Sequence, residues 1–207
     1  MAVKRITYLT RRADLDAVGF ARHWSTTHAD IARRLPRVVA YRQNHIIWAP
    51  TAPRLLDVDG IVELWFEDEQ AADAGFGSDI ADLLIADETR FLDGLVGSAV
   101  DAEGPEPAHE GKLWILLPET DRQSIVDLTE ALGRRHCAAV AYANIHAPAA
   151  RVLSRLGLTR QALPAAAIAL GFLSREAARS AVEAETRAPS AGLESAQFLV
   201  ADVVSVI

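Results

Sequence analysis

The stretch ARHWSTTHADIARRLPRVVAYRQNH, residues 21–45, passes from a helical pattern into a strand pattern at Pro36. The helical pattern extends back to Asp14, a residue type that often caps a helix N-terminus. Residues 38–48 are rich in β-branched and aromatic side chains, which predicts a strand. Because proline cannot continue a helix, the chain is predicted to leave the helix there and to enter a sheet.

Further strands are predicted on both sides of this helix–strand pair. Residues 4–12 and 60–68 alternate between apolar and polar positions, and residues 94–103 are predicted to be a fourth strand. Residues 69–93 are mostly helical in pattern, with a break near residues 75–78. The predicted order of elements in this part of the chain is therefore β-α-β-β-α-β.

The same order is predicted again after a segment rich in glycine, proline and acidic residues. This segment, residues 104–111, is the predicted linker between a first domain, residues 1–103, and a second domain, residues 112–207. The strands and helices predicted after it are, in chain order, 112–119, 121–136, 138–147, 165–173, 174–188 and a last strand that runs to the C-terminus.

Two βαββαβ units in tandem predict the α+β class, with ferredoxin-like repeats whose antiparallel sheets each carry helices on one face. The second face of each sheet must also be buried, and packing the two open faces together achieves this within one chain. The predicted architecture is an intramolecular α+β barrel with a pocket between the sheets. Trp24, Trp48 and Trp65 all lie in the first half, which is therefore predicted to carry the site while the second half completes its walls.

The composition limits the classes of partner. The chain has 207 residues, of which 50% are hydrophobic, and a formal net charge of −7. A net negative charge argues against nucleic acid or an anionic membrane surface as a partner. The single cysteine, Cys137, excludes an intrachain disulfide. Neither a signal-peptide pattern nor a membrane-spanning apolar run is present, which predicts a cytoplasmic protein.

The quoted stretch contains three histidines, His23, His28 and His45. On an α-helix the first two would point about 140° apart, so they are not predicted to bind a metal ion together, and no metal site is predicted. Residues 25–27 are poor helix formers and predict a bend or break, after which His28 would begin a new helical turn. A helix N-terminus favours the neutral, proton-accepting form of a histidine. The alternative is a histidine that only bonds the backbone at a helix break.

The third predicted strand contains a carboxylate on an inward face. Its period of two places Ile61, Glu63 and Trp65 toward the other sheet, and the opposite, apolar face toward the helices. An inward carboxylate is neutralised, paired or functional. A catalytic role and an ion pair with a second-strand residue such as His45 both stay open. The apolar face consists of Val62, Leu64 and Phe66.

A second carboxylate is predicted close to His28. Asp87 and Phe91 are four residues apart in the second helical region and therefore share a face. If Phe91 packs inward, Asp87 lies on the inner edge of the helix, where it could meet His28. A histidine held by a carboxylate has a fixed tautomer, which suits acid–base chemistry. The alternative is that Asp87 only caps the last turns of its helix.

Three segments together resemble the EthD family of the dimeric α+β barrel superfamily. They are HWSTTHADIARRLPRVVAYRQNH (23–45), DGIVELWFEDEQAA (59–72) and ADETRFLD (86–93). The resemblance covers about residues 4–103, and the second half matches only in its order of elements. Family members usually pair their sheets as homodimers, so the resemblance implies an intramolecular pseudo-dimer with a degenerate second copy. Whether two such chains form a further homodimer stays open.

The resemblance also implies roles for individual residues. Relatives on this barrel act without a cofactor as monooxygenases, decarboxylases, dehydratases or cyclases on aromatic or polyketide-like molecules, and others only bind ligands. Carried over to this chain, His28 is the acid–base residue, and Asp87 or Glu63 orients it or stabilises charge. The predicted pocket walls are Tyr8, Trp24, Tyr41, His45 and Trp65.

Three functions are compatible with these patterns. The first is an enzyme without a tightly bound cofactor, of the oxidoreductase, decarboxylase or dehydratase type, which acts on a small apolar or aromatic metabolite. The absence of GxGxxG and GxxxxGK motifs argues against a nucleotide cofactor, whereas motifs do not test for flavin. The second is a non-catalytic protein that binds a small molecule or acts as a scaffold. The third is a haem-handling protein with His28 or His45 as axial ligand.

Overall fold

Eight antiparallel strands form one closed barrel, and helices cover its outside. The strands are β1 Val3–Arg11, β2 Val38–Trp48, β3 Gly60–Phe66, β4 Leu92–Asp101, β5 Gly111–Leu117, β6 Val140–His146, β7 Ala166–Phe172 and β8 Gln197–Ser205. The computed structural model describes residues 2–50, 54–101, 104–105, 107, 109–119, 121–146 and 152–207. The predicted α+β barrel is therefore confirmed, although residues 102–103 and 147 of two predicted strands lie outside the described residues.

The helices are α1 Ala17–His23, α2 Ala29–Ala32, α3 Glu69–Phe76, α4 Asp79–Glu88, α5 Arg122–Arg135 and α6 Arg175–Arg187. Five of them begin after a side chain that accepts a hydrogen bond from the first turn, which satisfies a backbone N–H that has no helical partner. These N-caps are Asp16, Asp68, Ser78, Asp121 and Ser174. The cap of the first helix, Asp16, thus lies two residues after the predicted cap, Asp14, whose carboxylate instead pairs with Arg12 at 2.7 Å.

The barrel consists of two four-stranded sheets with the same internal order. The first sheet runs β4-β1-β3-β2, the second runs β8-β5-β7-β6, and every neighbouring pair is antiparallel. The sheets join where β2 pairs with β8 and where β4 pairs with β6. The second junction is short, Val100 opposite His146 and Asp101 opposite Ile145. Each half of the chain therefore supplies one wall of the barrel.

The two faces of the first sheet bury different kinds of side chain. Val62, Leu64 and Phe66 face the helices, whereas Ile61 packs with the apolar residues inside the barrel. The face assignment predicted from the period of two is confirmed by these contacts. Side chains on the strands of this sheet thus point either into the barrel or toward the helices. In the part of the chain that the structure describes, no helix is long and apolar enough to cross a membrane.

The first helical region does not break at the serine and threonines. Between α1 and α2 the chain forms one π-helical turn, Trp24–His28, with right-handed helical backbone angles at both ends. The hydroxyl of Thr26 donates to the carbonyl oxygen of Arg22 at 2.6 Å, which fits the wider turn. A new α-helix, α2, does begin directly after His28, as predicted. The backbone stays helical through the π-helical turn, however, and the Ala29 N–H bonds the carbonyl oxygens of Thr26 and Trp24, so His28 does not lie at a free helix N-terminus.

Candidate active site

A narrow cavity lies between the outer face of the first sheet and the helices that cover it. Its volume is about 60 Å³. Twelve of its lining residues are apolar, among them Leu9, Val62 and Phe91. The polar lining residues are Thr7, His28, Tyr41, Glu88 and Arg155. The pocket that holds His28 is thus in the helix layer, and the prediction that this site lies between the two sheets was wrong.

His28 and His23 both contact the same carboxylate. The Nδ1 atom of His28 lies 3.1 Å from Oδ2 of Asp87, and Nε2 of His23 lies 3.0 Å from that oxygen. The predicted contact between His28 and Asp87 is therefore present. An α-helix would direct the two histidines about 140° apart. Here both reach the same carboxylate, because the chain between them forms a π-helical turn, which is wider than an α-helical turn.

The charge on Asp87 determines where the histidine protons are. Burial alone would raise the pKa of Asp87, but hydrogen bonds from His28 and His23, together with their charge, outweigh it and hold the pKa below its usual range. An ionised carboxylate only accepts hydrogen bonds, so the ring nitrogens that it meets carry protons. The neutral form of His28 therefore keeps its lone pair on Nε2. The rings of His23 and His28 pack against Phe91 with centroids 4.9 and 5.0 Å away.

The second half of the chain closes one side of this cavity. Leu153 exchanges backbone hydrogen bonds with Gly97 on the edge of β4, at 2.7 and 3.2 Å. Next to it, Nε of Arg155 donates to the Glu88 carboxylate at 2.7 Å. Burial raises the pKa of Glu88, and the charge of Arg155 opposes this rise only in part. The prediction that the second half completes the walls of the site agrees with these contacts.

The sequence patterns did not identify Glu88 or Arg155 as site residues. Glu88 follows Asp87 directly, so the pair of adjacent acidic residues was the sequence pattern that could have identified Glu88. Arg155 lies 67 positions away from Glu88, and no local pattern links the two.

A hydrogen-bonded group of side chains supports the wall beneath α1. The indole N–H of Trp24 donates to the Tyr41 hydroxyl at 3.0 Å, and the Gln43 amide donates to the same hydroxyl at 2.9 Å. Nε2 of His45 lies 3.1 Å from Oε1 of Gln43, and its ring centroid is 4.5 Å from that of Trp24. Tyr41 reaches the cavity, whereas Trp24 and His45 do not line it. Trp24 and His45 therefore support the site from behind Tyr41 and do not form the predicted wall.

We expect Gly60→Ala to destabilise the protein by about 1–3 kcal/mol, the usual cost of overpacking a core. A Cβ atom at this position would lie 2.8 Å from Cη2 of Trp24, so the indole would have to move away from Tyr41. Urea unfolding measures the change. Gly104→Ala is the control, because nothing lies within 4 Å of the added atom. Equal stability of the two variants would show that the Trp24 position is not fixed.

Glu63 lies inside the barrel, on the opposite face of the sheet from His28. Its oxygens pair with Nζ of Lys4 at 2.8 Å and with Nζ of Lys112 at 2.6 Å, and the Asn44 amide donates to it at 3.0 Å. The predicted pairing with a second-strand residue is therefore present, but the residue is Asn44 and not His45, which bonds Gln43 on the helix side. Glu63 is also too far from the cavity face to orient His28, since the sheet separates the two groups.

Two other predicted wall residues also lie inside the barrel. The Tyr8 hydroxyl bonds Nε2 of His146 at 3.1 Å, and Nδ1 of His146 bonds the Ser98 hydroxyl at 2.5 Å. Trp65 is fully buried, with the ammonium of Lys4 4.7 Å from its ring centroid. Tyr8 and Trp65 are thus parts of the barrel core, and the prediction that they face the same pocket as His28 was wrong.

A metal site in the protein would need several ligating side chains close together. Within the described ranges, no group of three or more histidine, cysteine or acidic residues is placed to hold a metal ion. Haem ligation by His45 has no geometric support, because its ring packs on Trp24 and is not among the residues that line the cavity.

Solved structures share the whole fold at low sequence identity. A candidate monooxygenase from Fusobacterium nucleatum has a TM-score of 0.56 and 7% identity, over 98% of this chain and 92% of that chain. One from Lactobacillus acidophilus has a TM-score of 0.52 and 9% identity, over 100% and 94%. An anthrone oxidase-like protein has a TM-score of 0.52 and 12% identity, over 99% and 93%. At these identities the similarity shows the fold alone.

The family model that matches the sequence covers part of the first half of the chain. No curated protein matches the sequence. The profile of the EthD domain matches residues 12–95, which include the π-helical turn, β2, β3 and the helix that carries Asp87. The resemblance of the three sequence segments to EthD proteins is therefore confirmed by the match of residues 12–95 to the EthD domain model.

Proposed function

We propose that this protein is a cofactor-independent enzyme that acts on a small apolar or aromatic metabolite in the cavity beside His28. The observation that carries the proposal is the contact between His28 and Asp87 at the wall of a mostly apolar cavity. A ligand pocket with apolar walls and a few convergent polar groups is the usual form of a small-molecule site. The reaction is of the oxidoreductase, decarboxylase or dehydratase type.

The geometry supports a proton-transfer role for His28. Because Asp87 holds Nδ1–H, the free lone pair on Nε2 can take a proton from a bound molecule, and the carboxylate stabilises the imidazolium that forms. The enclosed, largely apolar surroundings strengthen that electrostatic support, since little water screens it. The same group can return the proton to the product or to a later intermediate.

The ion pair between Arg155 and Glu88 is proposed to orient the ligand. It is the charged end of a cavity whose other walls are mostly apolar. A guanidinium donates several hydrogen bonds in one plane, so Arg155 can bind a carbonyl, hydroxyl or carboxylate oxygen while it still contacts Glu88. The substrate class that fits is therefore an apolar or aromatic molecule with one oxygen-containing end.

We also propose that the chain is a fused pseudo-dimer, with residues 1–103 and 112–207 as its two halves and residues 104–111 as the linker. The identical strand order of the two sheets supports this. Only the first half contributes a histidine–carboxylate pair at the cavity, and the second half contributes Leu153 and Arg155. One catalytic site per chain follows from this arrangement.

The experiment is to extract the purified protein, identify bound small molecules by mass spectrometry, and return each compound to fresh protein. We expect wild-type protein to yield and convert a small apolar or aromatic compound, and Ala32→Leu to do neither. Ala32 lines the cavity and is 3% exposed, so the larger side chain occupies the space of the ligand.

Ala181→Leu is the matched control, because Ala181 is also 3% exposed on a helix that covers a sheet, but in the second half. We expect it to keep the ligand and to lose about 1–3 kcal/mol of stability through overpacking. Ala32→Leu should lose less stability, since its larger side chain fills existing space in the cavity. Recovery of the compound from both variants would contradict the cavity assignment. A compound that binds and returns unchanged would favour a binding protein instead.

A further inference from the structure

Asp87 connects two histidines that lie in different surroundings. His28 lines the cavity, and its side chain is 10% exposed. The His23 side chain is 25% exposed and lines a shallow surface groove with Arg22, Thr27 and Arg90. Both rings pack against Phe91. One carboxylate therefore joins a group in contact with solvent to a group in the cavity.

A single carboxylate cannot compensate two imidazolium charges equally. When His23 is neutral, its Nε2–H donates to Asp87 and the negative charge remains available to His28. When His23 takes a second proton on Nδ1, from the solvent side, the two cations compete for the same charge. A proton on one histidine then opposes a proton on the other, which makes their titrations a coupled pair.

We propose that His23 is a positioning residue that controls, through Asp87, how readily His28 accepts a proton in the cavity. This inference rests on the proposed function of His28, because the proton acceptance that His23 controls is the proposed catalytic step. The π-helical turn is what makes it possible, since an α-helix would direct His23 away from Asp87. His23 does not touch the cavity, so it acts only through the carboxylate.

The other charged groups around His23 and His28 are the same in the wild type and in a variant that changes only His23. Arg90 lies 3.8 Å from Asp87 Oδ1, and Arg22 shares the surface groove with His23. Glu88 with Arg155, and the hydroxyl of Tyr41, line the cavity near His28. Each of these groups remains in place when only His23 is replaced, so a change in the titration of His28 reports on His23.

The test is a pH series of side-chain imidazole spectra on ¹⁵N-labelled protein without added ligand. In the wild type we expect the His28 signals to change in two steps, one of which coincides with the titration of His23. In His23→Gln we expect His28 to lose the step that coincides with His23 and to accept its proton at higher pH. Glutamine is chosen because its Nε2 amide can still donate to Asp87 in the position of the lost ring nitrogen.

Asp87→Asn and His136→Gln complete the comparison. Without the carboxylate, neither imidazolium keeps a compensating negative charge, so His23 and His28 should both accept protons only at lower pH than in the wild type. His136 also bonds a buried carboxylate, Glu185 at 2.7 Å, but in the second half, so replacing it should leave the His28 titration unchanged. A single His28 step in the wild type, or one that His23→Gln does not shift, would overturn the proposal.

The wild-type curves alone can refute the coupling, even if a variant fails to fold. The titration result also does not depend on whether the protein converts a substrate. Coupled titrations together with a catalytically dispensable His28 would refute the proposed function and leave the histidine pair as described. Uncoupled titrations together with an essential His28 would refute only the role of His23.

Discussion

Replacing Glu63 with glutamine is expected to lower the free energy of unfolding by about 3–5 kcal/mol, the usual cost of removing one partner of a buried ion pair. Glu63, Lys4 and Lys112 are all fully buried, and one carboxylate faces both ammonium groups at 2.8 and 2.6 Å. A neutral amide would leave both cations without that compensation in a medium that screens charge poorly. Urea unfolding with two independent probes measures the loss.

The pH dependence of this variant separates charge from packing. Burial would raise the pKa of Glu63, but the charges and hydrogen bonds of Lys112 and Lys4 outweigh it and hold the pKa far below its usual range. A carboxyl with a depressed folded-state pKa stabilises the fold at pH values above its unfolded pKa, about 4.3, and this contribution is lost as pH falls further. The stability difference between wild type and Glu63→Gln should therefore shrink as pH falls below about 4.

Glu67→Gln is the matched control for the same chemical change at the surface. Glu67 accepts from Arg37 at 2.9 Å, but both side chains are exposed. Exposed ion pairs contribute about 0–1 kcal/mol, because water already solvates both charges. If Glu63→Gln costs no more than Glu67→Gln, or if its cost does not depend on pH, the charge of the buried carboxylate does not stabilise the fold.

The fold follows from sequence patterns that are local. Alternation in β3 separated Val62, Leu64 and Phe66 from the inward residues, and the two βαββαβ orders predicted the barrel. The partners of Glu63 were not predictable in this way, because Lys4 and Lys112 are 59 and 49 positions away. They meet only when the barrel closes, and the alternation of a single strand contains no information on which strand of the other half lies opposite.

The site was predicted in part, for a similar reason. The contact between Asp87 and His28 was predicted and is observed. The helical spacing used to predict it does not hold, because α4 ends at Glu88 and Phe91 lies in the turn after it. The same spacing rule wrongly separated His23 from His28, because it assumes an α-helix throughout and the chain forms a π-helical turn. The resemblance to EthD proteins identified Tyr8 and Trp65 as possible walls but not the face of the sheet on which each lies. Strand alternation places them inside the barrel, away from the cavity.

His28→Asn is expected to lower the turnover of the compound recovered from the protein by about 10²–10⁴-fold, the usual contribution of a positioned acid–base group. The asparagine amide occupies the position of Nδ1 and can still donate to Asp87, but nothing replaces the lone pair of Nε2. Loss of the ring contact with Phe91 should reduce stability by only about 1 kcal/mol. Product formation by mass spectrometry and urea unfolding measure the two effects separately.

Two further variants decide whether the effect belongs to His28. His136→Gln makes a comparable change at a half-buried histidine that also bonds a carboxylate, Glu185 at 2.7 Å, but in the second half, so turnover should stay unchanged. Glu88→Gln removes the other titratable carboxyl of the cavity, whose pKa is raised by burial and which could carry the proton instead. Full turnover in His28→Asn would contradict the proposed role of His28. If Glu88→Gln alone abolished turnover, the proton-transfer step would belong to Glu88, because the imidazole would then only support the wall of the cavity.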